Sequence, residues 1–292
     1  ALWSVNQALS EIFWGLSQFQ TIKEYTKEKP GKILKTFEYI YKECLKSGAI
    51  IHITADEDSL SKILPMLEKF AKASKLTKLL PARQYSLEEL KPYILQSQSI
   101  EASKPQLIKV DAQTGYAACV SSASQYLTQE AAADTIFTAW FSMHTLWDKI
   151  RTTGGAYGAN IWNDNIEKAC CMSTYRDPSP EKSLKVYLES LKEISQTKIP
   201  QEDIEKTIVA CYGDAIVPAC PKDRGARAFE SLIYGNPQEF KQLRVNNLFK
   251  VDSDQVQKAA QRFYDGVCKQ NYQTIFCDKS KKMGGNIIKI PL

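Results

Sequence analysis

Apolar positions recur along this chain in two rhythms, and the changes of rhythm mark its elements. Steps of three and four come first. Leu9, Ile12, Phe13, Leu16 and Phe19 mark an amphipathic helix. Pro30-Gly31 breaks the chain, then Ile33, Phe37, Tyr41 and Leu45 mark a second helix, with Gly48 at its cap position. Ala49 to Thr54 reads as a short buried strand. Asp56 to Ser59 caps a third helix carrying Leu60, Ile63, Leu67 and Phe70. One strand cannot make a sheet, so its partners are expected outside this block. From Ser74 to Pro105 the periodicity fades among Lys, Gln, Ser and Pro81, Pro92 and Pro105, with a short helix around Leu87 to Leu95.

A second unit begins near Gln106. Leu107 to Val110 and Ala117 to Ser122 read as strands. Ile136, Trp140, Met143, Trp147 and Ile150 then recur at helical steps, with Phe137 and Phe141 beside them, predicting a helix buried on a wide face. It cannot continue through Gly154-Gly155, because each glycine weakens a helix by roughly 1 kcal/mol and permits a sharp turn. Beyond that corner Tyr157, Ala159 and Ile161 alternate with Gly158, Asn160 and Trp162 as a strand, and Lys168 to Tyr175 is another. Tyr175-Arg176-Asp177-Pro178 reads as a salt-bridged turn that fixes the next helix. Ser179-Pro180-Glu181 starts that helix with a capping hydroxyl, a first-turn proline and an acid suited to the dipole. Leu184, Tyr187, Leu188, Leu191 and Ile194 line its inner face. Further helices are expected from Pro200, with Ile204, Ile208 and Cys211, and over 223–234, 237–248 and 253–265, with Gly235 and Gly266 after the first and last of these three. A strand from Tyr272 to Cys277 precedes a polar tail whose Gly284-Gly285 reads as flexible. Strands, then helices, then a returning strand spell an α+β sandwich with helices on one face.

Composition changes this picture little. The net charge of +5 comes from interleaved signs, and Lys-rich faces such as 23–32 read as solvated helix surface, not a nucleic-acid footprint. The most apolar window, Ala131 to Trp147, contains Asp134 and His144 and is too short to cross a bilayer. The eight cysteines show neither CxxC pairs nor Cys/His zinc spacing. They read as reduced core thiols of an intracellular or organellar protein, and a self-contained cysteine hydrolase is disfavoured by the presence of only two histidines. The chain opens at Ala1 without a signal peptide and runs straight into a helix, which reads as a fragment of something longer.

Candidate chemistry gathers at the glycine corner. Arg151 sits at the helix end and Tyr157 at the strand start, where a guanidinium and a phenol can donate hydrogen bonds to a substrate carbonyl. On spacing alone the corner reads first as structural, with a solvated Arg and a packed Tyr. His52 and His144 have no second ligand nearby and read as a strand histidine and a hydrogen-bonded core residue.

The run Arg151-Thr-Thr-Gly-Gly-Ala-Tyr157-Gly at a helix-to-strand corner, followed by Ser173-Thr-Tyr-Arg-Asp-Pro178 at the end of the next strand, resembles the pitrilysin/insulinase family of zinc metallopeptidases, especially the presequence-protease and falcilysin branch. The match covers about residues 106–280, and residues 1–73 resemble the closing part of a preceding homologous domain. The resemblance implies a pitrilysin-like two-layer α+β sandwich with an antiparallel-rich sheet over 106–292, a linker over 74–105 and a partial domain of the same kind over 1–73. It also implies a parent zinc peptidase acting on short unstructured peptides, with mitochondria or another organelle as its location. Its zinc would sit in an N-terminal half of the same polypeptide, on a His-x-x-Glu-His motif that this chain lacks. Arg151 and Tyr157 map to the family's carbonyl-contacting pair, with Gly154, Gly155 and Ala156 beside the peptide, and this chain alone would bind no metal and be inactive. The competing expectation is a non-catalytic assembly or substrate-binding subunit related to such peptidases.

Overall fold

A computed structural model describes residues 3–81, 83–94, 105–270, 272–278 and 285–288. Contacts divide the chain into two compact units. The first holds α1 (Val5–Trp14), α2 (Ser17–Tyr25), α3 (Pro30–Lys46), α4 (Glu57–Ala73), α5 (Leu87–Leu90) and, from later in the chain, α9 (Pro221–Ile233). The first predicted helix is two, because Gly15 ends α1 and the Glu11 side chain bonds the backbone and hydroxyl of Ser17 across the break. Gly48 ends α3 at φ +82, and a Cβ there would lie 2.1 Å from the Lys78 carbonyl oxygen, so only glycine fits. The expected strand at 49–54 does not form: a single bridge joins Ala49 to Lys78, and Ile50 and Ile51 are about half exposed. An isolated extended segment has no ladder to hold it. Ala8, Leu90 and Ile94 make a small core, whereas α3, α4 and α9 bury no residue and expose Phe37, Tyr41, Phe70 and Leu232.

The second unit is built on one six-stranded sheet. Its strands are β1 (Gln106–Val110), β2 (Tyr116–Ser122), β3 (Gly158–Asp164), β4 (Ala169–Tyr175), β5 (Tyr272–Asp278) and β6 (Asn286–Ile288), in the order β3-β4-β2-β5-β1-β6. The first three pairings are antiparallel and the last two parallel. β6 lies in what the sequence shows only as a polar tail. Gly285 leads into it, with space for a Cβ closed off by the Pro105 carbonyl and Leu107; Gly284 lies outside the described residues.

Helices α6 (Gln129–Phe141), α7 (Pro180–Ser195), α8 (Gln201–Ala215), α10 (Gln238–Leu248) and α11 (Ser253–Gln270) complete this unit. Leu107, Ala117, Cys119, Ile161, Met172 and Ile275 from the sheet pack in one core with Ile136, Phe137, Phe141, Leu184, Tyr187 and Phe263 from the helices. Gly266 does not cap α11. The helix runs on through it, because a side chain there would meet Ser121 at 3.0 Å and glycine lets the helix settle onto β2. Ser179 precedes α7 without a side-chain cap, and its carbonyl accepts the Ser183 N–H instead.

Burial of Cys119, Cys170 and Tyr187 pushes their ionisation well up, while half-buried Cys171 and Cys211 are each raised to about 11 by burial first and a neighbouring Asp second. Cys44, Cys220 and Cys268 are exposed, so the expected set of core thiols is only partly core.

Asp134, fully buried on α6, ties several elements together. Its carboxylate accepts from Arg262 of α11 at 2.5 Å, from the Ser124 backbone at 2.7 Å and from the Asn165 amide at 3.4 Å. Asp134→Ala should therefore destabilise the fold by about 2–3 kcal/mol, since three donors lose their acceptor. A urea midpoint unchanged from the wild type would show that the network contributes nothing.

Candidate functional site

The helix leading to the corner is not the uniform helix its periodicity predicts. After Phe141 it widens into a π-helical segment, Ser142–Thr152. Ser142 holds the start of that segment to the outer strand, donating to the Ile161 carbonyl and accepting from its N–H. Widening changes which residues face inward. Thr145, Leu146 and Ile150 are buried, while Met143, His144 and Trp147 turn outward. His144 is thus not a core residue; its ring stacks on Trp140 at 5.1 Å. π segments occur often at functional sites.

The segment ends in two nested bonds, Gly155 N–H to Arg151 C=O at 3.0 Å and Ala156 N–H to Ile150 C=O at 3.2 Å. They resemble a Schellman cap in which each bond spans one residue more, as a wider turn requires. Gly155 takes φ +81 to close it, and a Cβ there would only touch the Pro178 ring, at 3.6 Å. At Gly154 the limit is steric, because a Cβ would lie 2.5 Å from the Ile150 carbonyl oxygen. Ala156 is buried. The N–H groups of Gly155 and Ala156 are used inside the corner, bonding the Arg151 and Ile150 carbonyls.

Arg151 and Tyr157 leave the corner in different company. The Arg151 guanidinium lies over the Trp147 ring at 3.8 Å. Tyr157 is 66% exposed, although the alternation that buries Ala159 and Ile161 would put it in the core. It escapes because it stands one residue before β3, where its N–H bonds the Arg176 carbonyl at 3.4 Å. Its ring meets Tyr175 edge-on at 5.8 Å, and the Arg176 guanidinium lies 6.0 Å from the ring centre. Tyr175 continues into Tyr116 and Phe276, an aromatic row across the face of the sheet opposite the buried residues Ala117, Thr174 and Ile275.

The expected Arg176–Asp177 salt bridge is absent. Asp177 is fully buried; its Oδ1 accepts from the Ser179 N–H at 2.8 Å, and its backbone exchanges hydrogen bonds of 2.8 and 2.7 Å with Gly115. Gly115 must be glycine, since a Cβ would sit 2.2 Å from the Phe276 carbonyl oxygen. Sequence reasoning missed Gly115 and Trp147 as parts of the site; a lone glycine before a strand and a tryptophan in an apolar run carry no signal of it.

Among the described residues no group of three His, Cys, Asp or Glu is placed to hold a metal ion, so nothing at this corner fits a zinc site. Among the described residues no helix is long and apolar enough to cross a membrane.

The family model described as the PreP C-terminal domain matches residues 114–278, which contain the whole corner, the aromatic row and the core helices. The chain belongs to this family. A mitochondrial presequence protease from Candida albicans is 24% identical over 230 residues, covering 76% of this chain and 22% of that protein. One from Schizosaccharomyces pombe is 24% identical over 278 residues, covering 94% of this chain and 27% of that protein. The chain thus spans about a quarter of the length of the curated relatives it matches. A conserved protein from Enterococcus faecalis V583 shares the fold, with TM-score 0.53 and 15% identity over 78% of this chain and 51% of that one. The resemblance to the presequence-protease branch of the pitrilysin peptidases holds, and with it the α+β sandwich.

Gly155→Ala should cost about 1–2 kcal/mol, the penalty of a Cβ at positive φ, without a steric clash. Equal thermal midpoints for the two proteins would show that the corner relaxes to another conformation.

Proposed function

We propose that this PreP C-terminal domain serves a parent zinc metallopeptidase by presenting Tyr157 and Arg151 to the scissile peptide. The phenol donates a hydrogen bond to the substrate carbonyl oxygen as it gains charge, and the guanidinium, released from Trp147, orients the chain. Gly154 and Gly155 let the peptide approach closely, and Ala156, buried behind them, anchors the corner and does not meet the peptide itself. The observation that carries this reading is an exposed phenol fixed on a rigid corner, six residues after an arginine on the same corner, in a chain of this family. The substrates proposed are short unstructured peptides. Zinc would be held by an N-terminal half of the same polypeptide, on the His-x-x-Glu-His motif that this chain's sequence lacks. The relatives' mitochondrial names support a mitochondrial location for the parent, with another organelle as the alternative.

In the parent polypeptide Tyr157→Phe should lower kcat at least ~10-fold, the scale of losing one oxyanion donor being larger still. Undiminished turnover would remove Tyr157 from the mechanism. Peptide hydrolysis by this chain alone would refute its dependence on the other half, and a parent without any hydrolysis would favour a non-catalytic binding subunit.

The same reading takes residues 1–73 as the end of a preceding α+β domain, 74–105 as a linker and 106–292 as the closing domain, with Leu90 and Ile94 of the linker packed on Ala8 and α9 lent to the first unit. Supporting it are the apolar faces of α3 and α4, which bury nothing. Mole for mole, the isolated chain should bind an apolar-surface dye more strongly than the parent does. Equal binding would count against a missing cover for those helices.

A further inference from the structure

Arg176 adopts φ +46, a conformation that a residue with a Cβ holds only when its surroundings impose it. The surroundings here are rigid. Its neighbour Asp177 is locked to Gly115 through both backbone groups and to Ser179 through Oδ1, and Gly115 lies so close to the Phe276 carbonyl that no side chain fits between them. Arg176 absorbs the bend that remains. Glycine or asparagine would take that conformation with less strain, so the backbone does not explain an arginine.

The side chain does. The guanidinium lies 5.5 Å from the Tyr175 ring centre and 6.0 Å from that of Tyr157, within cation–π range of both. No carboxylate pairs with it among the described residues, and Asp177 is directed elsewhere. The Arg176 carbonyl meanwhile accepts the Tyr157 N–H. One strained residue therefore holds Tyr157 at its backbone and at its ring, while Tyr175 abuts the ring edge-on.

We propose that Arg176 is a positioning residue that fixes the orientation of the Tyr157 phenol for hydrogen bonding to substrate. This rests on the reading of Tyr157 as a donor to the peptide carbonyl. The test compares Arg176→Gly, Arg176→Lys, Tyr157→Phe and the double variant Arg176→Gly/Tyr157→Phe in the parent polypeptide, by steady-state peptide hydrolysis and thermal unfolding.

Arg176→Gly should unfold at the wild-type temperature or above, because strain is relieved, and yet lose about 3-fold to 10-fold in kcat with KM nearly unchanged. Arg176→Lys, which keeps the cation and the strain, should recover at least half of that loss. The double variant should be no slower than Tyr157→Phe alone, since a positioning residue has nothing left to position. Wild-type kcat in Arg176→Gly, a loss that adds in full to that of Tyr157→Phe, or a parallel fall in stability and activity would overturn the inference and leave the role of Tyr157 standing. Undiminished turnover in Tyr157→Phe would instead remove that role, and the inference with it.

Discussion

The glycine corner of the second unit depends on a pair of hydrogen bonds between Gly115 and Asp177. They join the loop before β2 to the loop after β4, and from there every part of the corner can be traced. Asp177 is fixed, so Arg176 must bend; Arg176 bends, so its carbonyl reaches the Tyr157 N–H and its guanidinium reaches the Tyr157 and Tyr175 rings. Gly115 permits the arrangement only because it has no side chain to strike Phe276. A buried aspartate and a bare glycine, neither exposed to a ligand, thus set where an exposed phenol stands.

The other side of the corner is set by the π segment. A regular helix carrying the same residues would bury the stripe of Trp140, Met143 and Trp147. One added residue per turn rotates Met143 and Trp147 outward, keeps Leu146 and Ile150 in the core, and lays Trp147 beneath Arg151. Arg151 and Tyr157 are therefore held by separate partners, an indole on the helix side and a Tyr–Arg pair on the strand side. The glycine pair joins these two supports without coupling their side chains.

Much of this was legible in the residues. Glycine adjacency located the corner, alternation placed Ala159 and Ile161 on the core face, and the order of elements gave the sandwich. What escaped had weak local signals. The π widening needs the Ser142–Ile161 contact, which is tertiary. Gly266 looks like a helix stop, yet its role is close approach to Ser121, and only the packed sheet reveals that. β6 is three residues long and is recruited by the edge of β1, so no periodicity announces it. Ile50 and Ile51 have strand-forming side chains but no ladder to join. Tyr157 illustrates the same point in reverse, since pattern alone assigns it to the core and a one-residue offset from the strand frees it.

The placement of the cysteines has a consequence for oxidation chemistry. A thiol reacts with peroxide or alkylating reagents through its thiolate, and burial holds Cys119 and Cys170 protonated at any physiological pH. They behave as small hydrocarbons with a polarizable end. Half-buried Cys171 and Cys211, each raised to about 11, stay mostly thiol as well, so electrophiles are left with Cys44, Cys220 and Cys268, each exposed on a helix or beside one. Mild oxidative exposure would thus mark thiols on helical surface while those of the sheet stayed chemically untouched.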